Sequence, residues 1–232
     1  MDKKVFVFLD VDDTILDFHK AEKKALTRAF TAMGIDFDDE MLARYSVINK
    51  SRWELLELGE ITREQVLRSR FEMLFAERGI EEDGERAQAM YEGFLSQGHF
   101  FIDGAEKLLE TLYGRYELFI VSNGNASTQD GRLKSADISR YFRNIFISER
   151  VGYEKPQREF FGRCFETITD FDPTRAVIIG DSLTSDIKGG INAGIKTCWF
   201  NPRNDPGRSD IVPDYTVSSL DEIPKLLKRI FE

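Results

Sequence analysis

The sequence predicts an α/β protein in which a parallel sheet is flanked by helices and an all-helical segment is inserted after the first strand. From residue 100 onward, short apolar, β-branched and aromatic runs alternate with helical patterns, which is typical of crossover units and a parallel sheet. A similar apolar run stands near the start of the chain, and residues 17–98 between these regions show only helical patterns. The first run is therefore predicted to join the later strands in one sheet.

The first strand, VFVFLD at residues 5–10, is a continuous apolar run, the pattern of a strand buried on both faces. Four segments follow in which apolar residues recur at helical spacing, and each ends at a glycine. These segments are residues 20–34, 39–59, 62–79 and 85–98. Thr62 stands three residues before Gln65, which resembles a capping box at the start of the third helix. We expect these helices to form a cap domain over the sheet.

The alternating region supplies the remaining elements. The predicted strands are residues 116–122, 144–148, 175–181, 196–201 and, with a weaker pattern, 214–219. The predicted helices are residues 104–115, 130–142, 156–169, 185–194 and 220–231. The expected organisation is a Rossmann-like core of residues 1–16 and 99–232 with a helical cap of residues 17–98.

Composition restricts the function classes. The 232 residues carry a net charge of −9, with 41% hydrophobic and 31% charged residues. A general nucleic-acid binder is not expected, because phosphate-backbone affinity depends on Lys and Arg. No apolar run approaches the ~20 residues of a membrane span, and the N-terminus lacks a signal-peptide core. Cys164 and Cys198 are predicted to be reduced and buried, as in a cytoplasmic protein. The protein is expected to be a monomer or a homodimer.

Acidic residues cluster where the first strand ends. Asp10, Asp12 and Asp13 fall within four residues, followed at once by Thr14. Residues i and i+2 of an extended chain point the same way, so Asp10 and Asp12 are predicted to face one cleft. Two unit charges ~4 Å apart at an effective dielectric of about 20 repel by roughly 4 kcal/mol. Such a cluster requires a positive partner, and Asp13 is expected to lie only near the site.

Polar residues also follow the later strands, and sites in such sheets lie at the carboxyl ends of strands. Ser122, Asn123 and Gly124 end the second strand, and Asp181 and Asp186 follow the fourth. Lys155 precedes Pro156 and is predicted to stand at a helix N-terminus, a site that attracts anions. Taken singly, these residues suit ordinary roles such as helix caps, turns or solvated charges. Their joint position at strand ends favours one active site.

The chemistry that suits this set is phosphoryl transfer. Clustered carboxylates without nearby His or Cys favour Mg²⁺, which also binds phosphate oxygens. Ser122, Lys155 and the backbone N–H groups near Asn123 and Gly124 would hold the phosphoryl oxygens. Asp10 suits a nucleophile that forms an aspartyl-phosphate. Asp12 suits the acid that protonates the leaving oxygen and later activates water.

These residues, in this order, resemble the motifs of the haloacid dehalogenase-like superfamily. Asp10 to Thr14 match its first motif, Asp-x-Asp-x-Thr/Val, and Ser122 and Lys155 match the second and third. Gly180-Asp181 through Asp186 match the fourth, Gly-Asp-x-x-x-x-Asp. The resemblance covers the whole chain, including the cap.

The resemblance implies a role for each matching residue. Asp10 would be nucleophile and metal ligand, and Asp12 the acid–base, with its backbone carbonyl on Mg²⁺. Asp181 would bind the metal, and Asp186 would support it. Thr14 is included among the expected substrate contacts with Asn123 and Gly124. Dehalogenase members lack the second Asp of motif one, so Asp12 favours phosphoryl chemistry.

Three segments narrow the resemblance to nucleoside 5′-monophosphate phosphatases of the bacterial pyrimidine-nucleotidase type. They are YSVINKSRWELLELGEITREQVLRSRF, ISERVGYEKP and GDSLTSDIKGGINAGIKTCWFNP. In the cap, Trp53 could stack on a base and Asn49 could bind its edge, or both could pack inside the helices. The expected partner is thus a small phosphomonoester.

Other functions remain open on the sequence alone. Within the same fold, a sugar-phosphate or phosphoglycolate phosphatase or a phosphosugar mutase would use the same residues. A phospho-Asp signalling module also combines acidic residues, a hydroxyl and a lysine, although its acceptor lies on a later strand and it has no inserted cap. An inactive binding module is disfavoured, because unpaired clustered charge is costly to retain.

Overall fold

The structure, a computed structural model, describes residues 4–232 and contains a six-stranded parallel sheet. The strands are β1 (Phe6–Leu9), β2 (Glu117–Ser122), β3 (Asn144–Ile147), β4 (Ala176–Gly180), β5 (Lys196–Phe200) and β6 (Tyr215–Val217). Their spatial order is β3-β2-β1-β4-β5-β6, and every neighbouring pair is parallel. The first strand therefore lies between β2 and β4 at the centre of the sheet, and the predicted fold class is confirmed.

The central strand β1 is buried on both faces, as its apolar run predicted. Val7 and Leu9 belong to the hydrophobic core on one side of the sheet, and Phe6 and Phe8 to the core on the other. All four side chains are at most 1% exposed. Because both faces of β1 are covered, the carboxyl end of this strand is open only at the edge of the sheet. Asp10 follows β1 at that edge, where the other parallel strands also end.

Ten α-helices accompany the sheet within the described residues. They are α1 (Phe18–Met33), α2 (Asp39–Glu57), α3 (Arg63–Arg78), α4 (Gly84–Leu95), α5 (Ala105–Leu112), α6 (Ala126–Ser135), α7 (Ser148–Val151), α8 (Arg158–Glu166), α9 (Lys188–Ala193) and α10 (Ile223–Phe231). The first four follow β1 without an intervening strand, as the sequence predicted.

The four helices α1 to α4 have a hydrophobic core of their own. Helix α1 packs against α4 and α2 packs against α3, around the aromatic residues Phe30, Tyr45, Phe71 and Tyr91. We propose that they form the cap domain of residues 17–98, between core segments 1–16 and 99–232. The first three residues of that core segment lie outside the described part of the chain.

Two linkers connect the cap helices to the sheet, and they run side by side. The Asp17 backbone N–H donates to the carbonyl of Phe100 at 2.7 Å, and Ile102 N–H donates to the Ile15 carbonyl at 3.0 Å. The chain therefore enters and leaves the cap at one place.

Local capping follows the sequence at two predicted helix ends. Thr62 Oγ1 accepts from the Gln65 N–H at 3.3 Å, and Gln65 Oε1 accepts from the Thr62 N–H at 2.8 Å. This is the expected capping box. Gly34 ends α1 with φ of 71°, a left-handed conformation that favours glycine.

Among the predicted helix starts that differ from the structure, those of α6 and α8 bear on site residues. Helix α6 begins at Ala126 rather than at residue 130, because Asn125 Oδ1 accepts from the N–H groups of Ser127 and Thr128 and caps the helix. Helix α8 begins at Arg158 rather than at Pro156. The prediction that Lys155 stands at a helix N-terminus is therefore wrong.

Two further findings bear on the sequence predictions. Among the helices within residues 4–232, none is both long and apolar enough to span a membrane. Cys164 and Cys198 are free and buried, as predicted.

The packing of α9 leads to a stability prediction. A Cβ on Gly190 would lie 2.5 Å from Ile178 Cγ2 and 2.7 Å from Thr197 Cγ2. Overpacking costs about 1–3 kcal/mol, so Gly190→Ala is expected to lower Tm by roughly 5 °C. Gly162→Ala in α8 is the matched control, since a Cβ there meets nothing within 4 Å. Thermal denaturation followed by circular dichroism tests this, and an equal Tm for both variants would contradict it.

Candidate active site

Three carboxylates converge at the carboxyl edge of the sheet. Asp10 follows β1, Asp181 follows β4, and Asp186 lies in a short π-helical turn, Leu183–Ile187, directly after. One oxygen of each carboxylate lies within 4.8 Å of an oxygen of the other two. The sequence-predicted cluster is thus brought together by two central strands.

A buried lysine neutralises part of this cluster. Lys155 Nζ donates to Asp10 Oδ1 and Asp186 Oδ1, both at 2.7 Å, and to the carbonyl of Val121 at 2.8 Å. Lys155 is 1% exposed, so the alternative of a solvated surface lysine is wrong. Three acceptors use the three ammonium protons, and the lysine is held rigidly beside Asp10.

The negative charge of the three carboxylates is only partly balanced by Lys155. Burial raises the pKa of Asp10 to about 8, against the opposing effect of Lys155, and Asp186 adds to the rise. Burial, followed by the charge of Asp10, raises the pKa of Asp181 well above its usual range. Burial opposes the charge of Lys155, yet Asp10 and Asp186 together raise the pKa of its ammonium. Three carboxylates share one ammonium, so the ionised cluster has a formal charge of −2.

This imbalance predicts how stability depends on pH when divalent cations are chelated. Between the usual Asp pKa of 3.8 and the folded value of about 8, native Asp10 holds a proton that the unfolded chain has lost. The unfolded state then binds fewer protons, so stability falls as pH rises through this range. We expect Tm in EDTA to be several degrees lower at pH ~8 than at pH ~5. A Tm that rises over this range would contradict it, and Asp10→Asn should flatten the decline.

The donor set fits a hard divalent cation. All three groups offer carboxylate oxygens, which Mg²⁺ prefers, and a charge of +2 would balance the cluster. The Asp186 oxygens already accept from Lys155 Nζ and, at 3.1 Å, from the Ser182 N–H. Asp10 and Asp181 are therefore better placed to hold the ion directly, while Asp186 orients Lys155.

Thr14 lies behind the cluster rather than on the cavity wall. Its side chain is fully buried, and Oγ1 accepts from the Asp181 N–H at 3.1 Å. Trp199 Nε1 donates to the Asp181 carbonyl at 2.7 Å. These two bonds fix the Asp181 backbone, so the structure gives Thr14 a structural role in place of the predicted substrate contact.

Asp12 is held by two residues of α6 that the sequence did not single out. Its Oδ2 accepts from Gln129 Nε2 at 2.7 Å, and its Oδ1 forms a short ion pair with Arg132. Gln129 Nε2 also donates to Ser122 Oγ at 2.8 Å. Gln129 therefore connects the ends of β1 and β2.

The second predicted motif lies on the opposite side of Asp10. Ser122 Oγ accepts from the Gly124 N–H at 3.0 Å. The Asn123 amide binds the backbone of Lys155, donating to its carbonyl at 2.8 Å and accepting from its N–H at 2.9 Å. Asn123 thus positions the lysine, although its own side chain is committed to that backbone.

These residues line one cavity of about 250 Å³ between sheet and cap. From the sheet side, the predicted residues that line it are Asp10, Asp12, Ser122, Asn123, Gly124, Lys155, Asp181 and Asp186. From the cap side, the cavity is lined by Phe18, Trp53, Glu57, Leu67, Arg70, Tyr91, Glu92 and Leu95. Of the predicted site residues, all of which are described, Thr14 and Asn49 do not line it.

Asn49 is buried inside the cap helices. Its Nδ2 donates to Glu22 Oε1 and its Oδ1 accepts from Arg70 Nη1, both at 2.7 Å. Both ends of the amide are occupied, so the expectation that Asn49 binds a base edge is not supported. Arg70, which Asn49 orients, reaches the cavity instead.

One cap arginine bridges the two sides of the cavity. Arg63 Nη1 donates to the Asn123 carbonyl at 2.9 Å, and Nη2 donates to Ser148 Oγ at 2.5 Å and lies 3.3 Å from Glu154 Oε1. The guanidinium carbon lies 5.5 Å from the centre of the Trp53 ring. Trp53 is thus held beside the loop that follows β2.

Two of the site residues that the sequence did not single out, Gln129 and Arg132, had a detectable signal. Gln129 and Arg132 are three residues apart on α6, the helix that starts just after Ser122, so they share one face. Placing the helix start at residue 130 concealed this. Arg63 and Arg70 carry no comparable signal, because many exposed arginines occur on the same cap helices.

The sheet, its buried carboxylate cluster and the helices that close over it are typical of an α/β enzyme whose candidate active site lies at the strand ends. The chain belongs to the haloacid dehalogenase-like hydrolase family, whose sequence model matches residues 7–200.

Three relatives match nearly the whole chain. The HAD-hydrolase YfnB of Bacillus subtilis is 42% identical over 221 residues, covering 95% of this chain and 94% of YfnB. A magnesium-bound crystal structure of YfnB matches 97% of this chain and 99% of that chain with a TM-score of 0.93. The pyrimidine 5′-nucleotidases PynA of Streptococcus pneumoniae and YjjG of Escherichia coli are 36% and 34% identical. These alignments cover 98% and 96% of this chain, and 97% of each relative.

Proposed function

We propose that the protein is a Mg²⁺-dependent phosphatase that hydrolyses a small phosphomonoester, with a pyrimidine nucleoside 5′-monophosphate as its preferred substrate. One observation carries the proposal. Asp10 and Asp12 face the same cavity, where Asp10 adjoins Lys155 and the carboxylate cluster. The similarity to PynA and YjjG, both pyrimidine 5′-nucleotidases, supports the substrate class.

Asp10 and Asp181 would hold the ion together with the backbone carbonyl of Asp12, and Asp186 would support the site. When bound, Mg²⁺ offsets the negative charge of the carboxylates and of the phosphoryl oxygens, so an anionic nucleophile can approach an anionic ester. The magnesium bound to YfnB in its crystal structure supports this choice of ion.

Each of the two catalytic aspartates then has one chemical role. An Asp10 oxygen attacks phosphorus while the bond from phosphorus to the ester oxygen breaks, and Asp12 gives its proton to that oxygen. The product is an aspartyl-phosphate on Asp10 and a free alcohol. A water next attacks the same phosphorus, Asp12 takes its proton, and the bond to Asp10 breaks to release inorganic phosphate. Ser122 binds a phosphoryl oxygen throughout, while Lys155 holds Asp10 in position through the bond from its Nζ to Asp10 Oδ1.

Phosphate release by the wild-type protein and phosphoryl labelling of its chain test this proposal. Phosphate release from UMP, ribose 5-phosphate and 4-nitrophenyl phosphate is measured with MgCl₂ and with EDTA, and we expect turnover only with MgCl₂. Stoichiometric labelling without release would favour the phospho-Asp signalling alternative. Equal kcat/KM for UMP and ribose 5-phosphate would favour the sugar-phosphate alternative, and no release from any ester would refute phosphatase function.

Trp53 is the cap residue that we expect to contact the base. It lines the cavity, whereas its alternative role is packing within the cap. Stacking contributes about 1–3 kcal/mol per base, so Trp53→Ala should reduce the kcat/KM ratio of UMP to ribose 5-phosphate roughly tenfold. Tyr113→Ala is the control, because Tyr113 is 58% exposed and does not line the cavity. Equal loss for both substrates would show that Trp53 only packs.

We also infer that the protein acts in the reducing cytoplasm. Both cysteines are free thiols, and burial raises the pKa of Cys198 to about 12. Free buried thiols of this kind are typical of proteins in reducing compartments.

A further inference from the structure

The strongest unexplained feature of the site is Arg132. It is 1% exposed, lines the cavity and pairs with Asp12, yet no step of the proposed reaction uses it. Nη2 of its guanidinium has no hydrogen-bond partner among the described residues. A buried donor without an acceptor is costly, so a shift of the guanidinium that gave Nη2 an acceptor would be favourable.

In the present arrangement Asp12 cannot act as an acid. One oxygen accepts from Arg132 and the other from Gln129 Nε2 at 2.7 Å. Gln129 is itself held, since its Oε1 accepts from Arg132 Nη1 at 3.2 Å. To give a proton to a leaving oxygen, Asp12 must leave at least one of these donors.

Arg132 also contacts both linkers of the cap. Its Nε donates to the carbonyl of Gly98 at 3.3 Å, and its guanidinium carbon lies 5.7 Å from the centre of the Phe18 ring. Phe18 is the first residue of α1, and Gly98 follows α4. The chain enters the cap at one of these residues and leaves it at the other.

We propose that Arg132 is a positioning residue that couples the orientation of Asp12 to the position of the cap linkers. In the arrangement seen here, Arg132 and Gln129 hold both side-chain oxygens of Asp12. Displacement of Phe18 and Gly98 shifts the guanidinium and allows Asp12 to turn toward the ester oxygen. The inference rests on the proposed phosphatase reaction, because Arg132 acts only through Asp12.

Leaving-group dependence tests this role. Phenyl, 4-nitrophenyl and 2,4-dinitrophenyl phosphate have similar shapes but leaving groups of increasing acidity, and only poor leaving groups need a proton. Because kcat/KM reports the steps up to aspartyl-phosphate formation, it isolates the acid role of Asp12. In Arg132→Met we expect the kcat/KM ratio of phenyl to 2,4-dinitrophenyl phosphate to fall about 30-fold.

A double-mutant cycle tests the coupling to the linkers. Phe18→Ala keeps the backbone N–H that donates to Asp13 Oδ1 but removes the ring beside the Arg132 guanidinium, so it should also lower this ratio. Adding Phe18→Ala to Arg132→Met should lower it no further. Arg28→Met is the matched control, since Arg28 is an exposed arginine that lies 4.1 Å from the Phe94 ring and donates to Gln97.

Each other outcome has a definite meaning. An equal loss for all three esters in Arg132→Met would show a structural role and overturn the proposal, as would additive effects of Phe18→Ala and Arg132→Met. If Arg132→Met does not fold, Arg132→Lys replaces it. A lysine ammonium lacks the forked geometry by which the guanidinium binds both Asp12 and Gly98. An unchanged kcat/KM ratio in Arg132→Lys would also overturn the proposal. If wild-type protein releases no phosphate from any ester, the proposed function itself has failed.

Discussion

Asp10→Asn is expected to lower kcat for phosphomonoester hydrolysis by about 10⁴-fold or more. An amide oxygen is a poor nucleophile toward phosphorus, and no aspartyl-phosphate can form on asparagine. The neighbouring carboxylate of Asp12 is not placed to take over, because its two oxygens accept from Gln129 and Arg132. Steady-state phosphate release with UMP and MgCl₂ measures the loss.

The change should leave the fold intact, which allows the loss to be assigned to chemistry. Asparagine has nearly the same shape as aspartate, and its Oδ1 can still accept from Lys155 Nζ, which lies 2.7 Å from the present oxygen. One negative charge is lost from the cluster, so Mg²⁺ should bind more weakly, as titration calorimetry would show.

Asp39→Asn is the matched control for Asp10→Asn. Asp39 lies at the start of α2 and does not line the cavity, and it pairs with Lys23 through side chains that are 86% and 63% exposed. Such a surface pair contributes little, so activity and Tm should match the wild type. Turnover by Asp10→Asn within tenfold of the wild type at saturating MgCl₂ would contradict Asp10 as the nucleophile.

The position of the core site could be predicted because it depends on topology more than on side-chain packing. Any parallel sheet brings the carboxyl ends of its strands to one edge, so Asp10, Ser122 and Asp181 had to approach one another. The strand order was not predicted, since the sequence does not show which strands pair. The order places β1 between β2 and β4, and this explains why Asp10 lies between Ser122 and Asp181.

The cap residues could not be assigned in the same way. Whether Asn49 faces the cavity or the helix interior depends on how α2 is rotated against its neighbours, and several rotations bury similar apolar area. In the structure, Glu22 and Arg70 bind both ends of the Asn49 amide. Glu22 and Arg70 are buried charged residues. Buried charges need hydrogen-bonding partners, and the Asn49 amide binds both of them.

Lys155 lies in the candidate site, as predicted, although the local structure predicted for it was wrong. The sequence placed it at a helix N-terminus, but α8 begins at Arg158. Its position depends instead on Asn123, which binds both the N–H and the carbonyl of the Lys155 backbone. This long-range contact has no local sequence signal.

Lys155→Met is expected to destabilise the cation-free protein by about 3–5 kcal/mol, the cost of removing one partner from a buried ion pair. For a chain of this size, Tm should fall by roughly 10 °C. Lys107→Met is the control, because Lys107 pairs with Asp221 at the surface, where the two side chains are 74% and 61% exposed. Its Tm should change by no more than about 2 °C.

Magnesium should partly reverse the effect of Lys155→Met, and this distinguishes charge from packing. Without the lysine, Asp10, Asp181 and Asp186 keep a formal charge of −3, so a divalent cation gains more from binding there than in the wild type. The Tm difference between variant and wild type, measured in EDTA and again in MgCl₂, should therefore narrow with the cation. The same gap in both buffers would mean that Lys155 acts through its packed side chain rather than its charge, and that these carboxylates do not form the cation site.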